Sequence, residues 1–145
     1  MAAFAGVWVD DLAAGKCEGF DEFVKGMGYS AEQIEGYRGH IGKQEVIVDG
    51  NDWTYISDFA GQKSTNKFKL DIKNPPDTDL EGNKFQTTPK LVNDKHMIEV
   101  IETMRPNGLV TTTMERKIIG DGSKQHIVIS HKESGAKMSV YMHKE

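Results

Sequence analysis

The chain has 145 residues, 37% of them hydrophobic and 28% charged, with a net charge of −4. That is long enough for one domain with a real core, spanning 1–145, and too apolar for a disordered chain. The acidic balance, with no Lys/Arg-rich cluster, excludes nucleic acid as the main partner.

The opening "MAAFAGVWVDD" has neither a basic start nor a long apolar run. No secretion signal and no stable membrane insertion are expected from it. Within it, "FAGVWV" reads as a short strand anchored by Phe4 and Trp8. Cys17 is the single cysteine, so no internal disulfide is possible, and no Asn-x-Ser/Thr sequon occurs. Both features suit a reducing, cytoplasmic setting.

"GFDEFVKGMGYSAEQIEGYRGH" carries the helical signal. Phe20, Phe23, Val24 and Met27 fall at i, i+3, i+4 and i+7 and make one apolar stripe. Gly26 and Gly28 end that helix. Ser30 with Gln33 has the pattern of a capping box for a second, weaker helix reaching His40. From residue 43 onward only strands and turns are predicted: "QEVIVDG", "WTYISDFA", "TNKFKLDI", "KFQTTPKLV", "HMIEVIETM", "VTTTMERKII", "KQHIVISH" and "AKMSVYMH". Turn chemistry separates them, as at Asp49-Gly50-Asn51, Asn74-Pro75-Pro76-Asp77 and Gly120-Asp121-Gly122. The order of one strand, two helices and then a strand meander predicts a mainly β protein. It is an antiparallel barrel or sandwich with a helical pair over one open end.

Several stretches, in order, resemble the intracellular lipid-binding protein family, which includes the fatty-acid-binding and cellular retinoid-binding proteins. "FAGVWV" is similar to the family's Phe-x-Gly-x-Trp opening, and "GFDEFVKGMG" to its Asn-Phe-Asp helix. "FKL" at Phe68–Leu70, "TTTMERKIIGDG" and "SVYMHKE" are similar to its later strands. The resemblance implies a ten-stranded antiparallel up-and-down β-barrel capped by a helix-turn-helix lid. It also implies carriage of a long-chain fatty acid or similar hydrophobic carboxylic acid in an internal cavity. The chain departs from the family pattern in places. The run between Trp8 and Gly19 is longer, Gly19 replaces an Asn, and Ser139 stands where many members have an arginine.

Arg116 is the foremost candidate for the ligand carboxylate. It shares a strand face with Thr112, Met114 and Ile118, which places a cation among apolar neighbours, and a buried guanidinium needs a partner. Its planar fork suits a carboxylate. The alternative is that it is solvated or paired internally with Glu99 or Glu102. The resemblance turns the terminal Tyr141 and Ser139 inward to assist Arg116, and turns Met138, Val140 and Met142 outward. Met114, Ile127 and Ile129 alternate like cavity-wall residues. Phe20, Val24 and Phe59 are assigned to the cavity or its portal. The lid carries Glu18, Asp21, Glu22, Glu32 and Glu35 against Lys25 and Arg38, which favours ligand exchange by diffusion over docking on anionic membranes.

Other chemistries lack residues. There is no Gly-x-Ser-x-Gly elbow and no Cys/His pair, so no enzyme activity and no cofactor are expected. His126 and His131 are five apart and fall on opposite strand faces, so no metal is expected. "DTDLEG" from Asp77 starts like an EF-hand loop, but its twelfth position is Thr88. The partner is expected to be a hydrophobic small molecule bound by a monomer. The rivals are a retinoid, a bile acid or a tetrapyrrole-type ligand, or an interaction protein using an outer apolar strip of Met138, Val140 and Met142.

Overall fold

The computed structural model describes residues 2–79 and 81–145. A 3-10 turn at Ala2–Phe4 leads into β1 (Gly6–Asp10), and a second at Ala14–Lys16 leads into α1 (Phe20–Gly26) and α2 (Ala31–Arg38). The strands that follow are β2 (Lys43–Asp49), β3 (Asp52–Phe59), β4 (Gln62–Lys69), β5 (Asp77–Thr78) and β6 (Lys84–Asn93). The last four are β7 (His96–Arg105), β8 (Gly108–Ile119), β9 (Lys124–His131) and β10 (Lys137–Lys144). The sheet runs β4-β3-β2-β1-β10-β9-β8-β7-β6-β5, antiparallel throughout, as a nearly closed ten-stranded barrel.

The helices form for the reasons the sequence supplies. Phe20, Phe23 and Val24 are buried on the inner side of α1. Ser30 and Gln33 make the reciprocal capping box, with Gln33 N donating to Ser30 Oγ at 3.1 Å and Ser30 N donating to Gln33 Oε1 at 2.9 Å. The lid is fastened at its start. Ser139 N donates to Glu18 O at 2.8 Å, and Gly19 follows with φ +80°, where a Cβ would lie 2.1 Å from Lys137 O. A left-handed Asn would satisfy the dihedral but not the space. The departure from the family's Asn therefore brings α1 against β10 more closely than an Asn would allow. In its middle, at the end of α1, the lid is tied down where Arg105 Nη1 donates to Met27 O.

The gap between β4 and β5 is the place where the barrel does not close. Asn66 Nδ2 donates across it to Asp77 Oδ2 at 2.8 Å. Below, the buried Asn74 accepts from Lys69 N at 2.7 Å and donates to Thr87 O at 3.0 Å, joining β4 to β6 by side chain rather than ladder. Pro89 is tolerated inside β6 because β5 pairs only with Lys84 and Phe85, and the turn that covers β6 beyond them asks Pro89 only for its carbonyl, which accepts from Asp71 N at 2.8 Å. The sequence pattern does not predict β5, whose two residues are too few for any periodicity.

Two clusters make the core. One fills the barrel away from the lid around Phe4, Trp8, Val46, Trp53, Phe68 and Met97. The other lies under the lid around Ala14, Phe20, Phe23, Val24 and Met138. Between them the interior stays open.

Candidate functional site

The interior holds three adjoining lobes of about 360, 190 and 320 Å³. The first two share Gln44, Ser57, Met114 and Arg116, and Ser57 borders all three. Each is within or near the size range of small-molecule sites. The largest lobe has an apolar wall of Phe20, Met114, Ile127, Ile129, Met138 and Val140. Tyr29, Tyr37 and Phe59 border it as an aromatic group beside the lid, with Tyr37 and Phe59 centroids 5.6 Å apart. Phe59, half-buried, is flanked by Tyr37 and His40.

At the inner end of this lobe sits a polar knot. Arg116 on β8 is 3% exposed; its Nε donates to Glu99 Oε1 at 2.8 Å and its Nη1 to Gln125 Oε1 at 3.0 Å. Glu99 on β7 is also 3% exposed and accepts a second bond from the Tyr55 hydroxyl at 2.6 Å. The guanidinium carbon lies 5.1 Å above the Tyr55 ring. Burial alone would push the Arg116 guanidinium down, but the charge of Glu99 and its hydrogen bond hold it above its ordinary value. Burial, then Glu99, pushes the Tyr55 phenol well up, so it stays a donor. Arg116 is thus paired with Glu99, the internal alternative, whereas Glu102 pairs with Lys73 at 3.2 Å.

Tyr141 and Ser139 are not part of this site, contrary to the expectation drawn from the resemblance. Tyr141 is 46% exposed and stacks on His126 at 4.3 Å, and Ser139 Oγ bonds to His126 Nε2 at 2.7 Å. The register gives the reason. Val140 pairs with Ile127 and Met138 with Ile129, and directly opposed residues share a face. Ile127 and Ile129 therefore carry Val140 and Met138 inward with them, which leaves Ser139 and Tyr141 outside. Since Met138, Val140 and Met142 line the cavity, the outer apolar strip does not exist, and an interaction surface built on it loses its basis. Val24 is also reassigned. It is buried in the cluster under the lid and borders none of the lobes, because its place on α1 faces Ala14 and Met138 rather than the opening.

Gln125 is the residue that sequence reasoning missed. It is 1% exposed, and its position two residues before Ile127 on β9 was the available signal, since 125, 127 and 129 share one face.

Asp10, at the end of β1, adds a second acid beside the main lobe. Its Oδ2 accepts from Gly42 N at 2.8 Å, and burial pushes its carboxyl up, against the lowering by that hydrogen bond. A raised carboxylate contributes stability that is fully present in acid and is lost as pH climbs through the raised value. Asp10→Asn, which keeps an acceptor for Gly42 N, is expected to raise the midpoint of thermal unfolding at pH 7 relative to wild type. The difference should vanish by about pH 4, near the unperturbed carboxylate value, and scanning both proteins across that range checks it.

Among the described residues, no group of three or more His, Cys, Asp and Glu side chains is placed to hold a metal ion, and no helix is long and apolar enough to cross a membrane.

Solved structures with the same architecture are similar to this one over its full length. The REP1-NXSQ fatty acid transporter is 19% identical with a TM-score of 0.79, covering 100% of this chain and 98% of its own. The Schistosoma mansoni fatty acid binding protein in complex with arachidonic acid is 14% identical with a TM-score of 0.80, covering 100% and 98%. Apo lipid binding protein 8 of Caenorhabditis elegans is 15% identical with a TM-score of 0.80, covering 100% and 97%. At these identities the likeness is one of fold. No curated protein sequence matches the chain. The family model described as "Lipocalin / cytosolic fatty-acid binding protein family" matches residues 3–132, from before β1 to just past β9, and so takes in the lid, Glu99, Arg116 and Gln125. With its capped ten-stranded barrel and its lined interior, the chain belongs to that family.

Proposed function

We propose that the protein is a cytoplasmic, non-enzymatic carrier that encloses a long-chain fatty acid or a closely related acyl lipid inside the barrel as a monomer. The observation that carries this reading is the apolar main lobe ending on a buried polar knot. A hydrocarbon tail fits the wall of Phe20, Met114, Ile127, Ile129, Met138 and Val140, and a polar end meets Arg116, which Glu99 and Gln125 hold in place. The fatty acids named with the structural neighbours support the class of ligand, as does the family.

Magnitudes are sufficient. Each buried methylene contributes about 0.8 kcal/mol, and micromolar affinity needs about 8 kcal/mol. A tail of more than a dozen methylenes exceeds that before ordering costs. The tail therefore supplies most of the affinity, and the head contacts set orientation and preference. Exchange would take the lid route past Tyr37 and Phe59, with the aromatic cluster loosening before the helices.

Titration of delipidated protein with a fluorescent fatty acid, followed by displacement with long-chain lipids, tests the reading. Saturable probe binding with displacement at micromolar lipid is expected. Folded, delipidated protein that takes up no probe and no lipid would contradict it.

A further inference from the structure

Glu99 alters what kind of head group the knot can hold. Arg116 does not offer a free positive charge, because its Nε is already paired with a carboxylate as deeply buried as itself. An ionised ligand arriving there adds a second carboxylate to one guanidinium in a poorly solvated place, where like charges weaken each other's ionisation. The surroundings do not make up the deficit. The main lobe adds Lys43 against Asp10, Asp58 and Glu81, and the second adds Lys67 against Asp77, so neither contributes a net positive charge. What Arg116 does offer is hydrogen-bond donors. A guanidinium has five N–H groups, and among the described residues two are used, on Glu99 and Gln125. Arg116 borders both the main lobe and the second one, whose wall also includes the neutral polar Gln44, Asn66 and Thr87. A neutralised cation with spare donors, among amides and hydroxyls, fits a hydroxyl or carbonyl oxygen better than an anion.

We propose that Glu99 is the specificity-determining residue of the site, an internal counter-ion that directs it toward acyl lipids with an uncharged head group. The class comprises fatty alcohols, acylglycerol esters, acyl amides and acids that carry their proton. This rests on the carrier reading and refines its ligand. The neighbouring charges that face Glu99 are Arg116 from β8 and, when it ionises, Tyr55 from β3; Asp10 acts on Arg116 from β1. Exchanging Glu99 for a neutral isostere leaves Arg116 as an uncompensated cation and should invert the preference.

The test uses the full, delipidated chain and displacement of one fluorescent probe by oleate, oleyl alcohol and monoolein, on wild type and Glu99→Gln. Wild type is expected to bind the alcohol and monoolein at least as tightly as oleate. Glu99→Gln is expected to gain tenfold or more for oleate, with the alcohol unchanged within about threefold. Wild type favouring oleate over the alcohol by tenfold or more overturns the inference, and this arm stands even where the variant fails to fold. A folded variant with no gain for oleate also overturns it. If none of the three lipids displaces the probe, or the probe itself does not bind, it is the carrier reading that fails, and the inference falls with it.

Discussion

Replacing Arg116 by alanine is expected to cost the fold about 3–5 kcal/mol, the range seen when one partner of a buried ion pair is removed. The reason lies in what remains. Glu99, 3% exposed, would keep only the Tyr55 hydroxyl, and Gln125 Oε1 would lose its donor. The loss belongs to the broken pair rather than to the worth of the pair itself. Replacing both members by apolar residues of similar size, as in Glu99→Met with Arg116→Met, should therefore recover most of the stability. Arg116→Lys should behave more like the alanine variant than like wild type, since a single ammonium cannot reproduce the fork that reaches Glu99 and Gln125 at once. Urea denaturation midpoints, read at unchanged slope, give these differences directly. A midpoint for Arg116→Ala equal to that of wild type would mean that Glu99 is not held by Arg116 in solution.

The second large effect is expected at Trp8, in the core away from the lid. It is 0% exposed, packs in the cluster with Phe4, Val46 and Trp53, and donates Nε1–H to Phe4 O at 2.9 Å. Lys144 Nζ sits 5.3 Å over its ring, covering the outer side. Trp8→Ala should destabilise by about 3–5 kcal/mol, as for other buried aromatic truncations. Trp8→Phe keeps most of the apolar burial and loses the hydrogen bond, and should cost about 1–2 kcal/mol. Because Trp8 borders none of the three lobes and makes no hydrogen bond to Arg116 or Glu99, neither change should alter the ratio of oleate to oleyl alcohol binding in protein that remains folded. A loss below about 1 kcal/mol for Trp8→Ala would place the first strand outside the cooperative core.

The helical stripe, the capping box and most of the strands could be read from the sequence because each is a local pattern. Phe20, Phe23 and Val24 recur at helical spacing, and Ser30 with Gln33 needs only its own four residues. β5 was not legible, since two residues paired with β6 and parted from β4 by a side-chain-spanned gap leave no pattern. The facing of β10 was not legible from that strand alone, because Met138-Ser139-Val140-Tyr141 alternates cleanly whichever side is inside. The resemblance pointed to the Tyr141 side. The pairing of Val140 with Ile127 settles the matter, and that is a long-range fact about β9. Arg116 stood out as a cation on an apolar face, but its partner on β7 had to be left among alternatives. Glu99 shares a face with Met97 and Ile101, which marks it as inward once the register of β7 against β8 is known. Gly19 looked like a mere departure from a motif. Its cause, the Lys137 carbonyl where a Cβ would be, exists only when the lid meets β10.

The central claim is that an acyl lipid lies inside the barrel, along the lobe that ends at Arg116, and methionine methyl resonances report on that directly. Met114, Met138 and Met142 line the main lobe, whereas Met104 is 60% exposed on β7 and borders none of the three lobes. In delipidated protein labelled at the methionine methyls, titration with a long-chain lipid should shift Met114, Met138 and Met142 saturably while Met104 stays in place. Movement of Met104 alone, or no movement with a lipid that displaces the fluorescent probe, would put the ligand on the outside of the barrel and contradict the account.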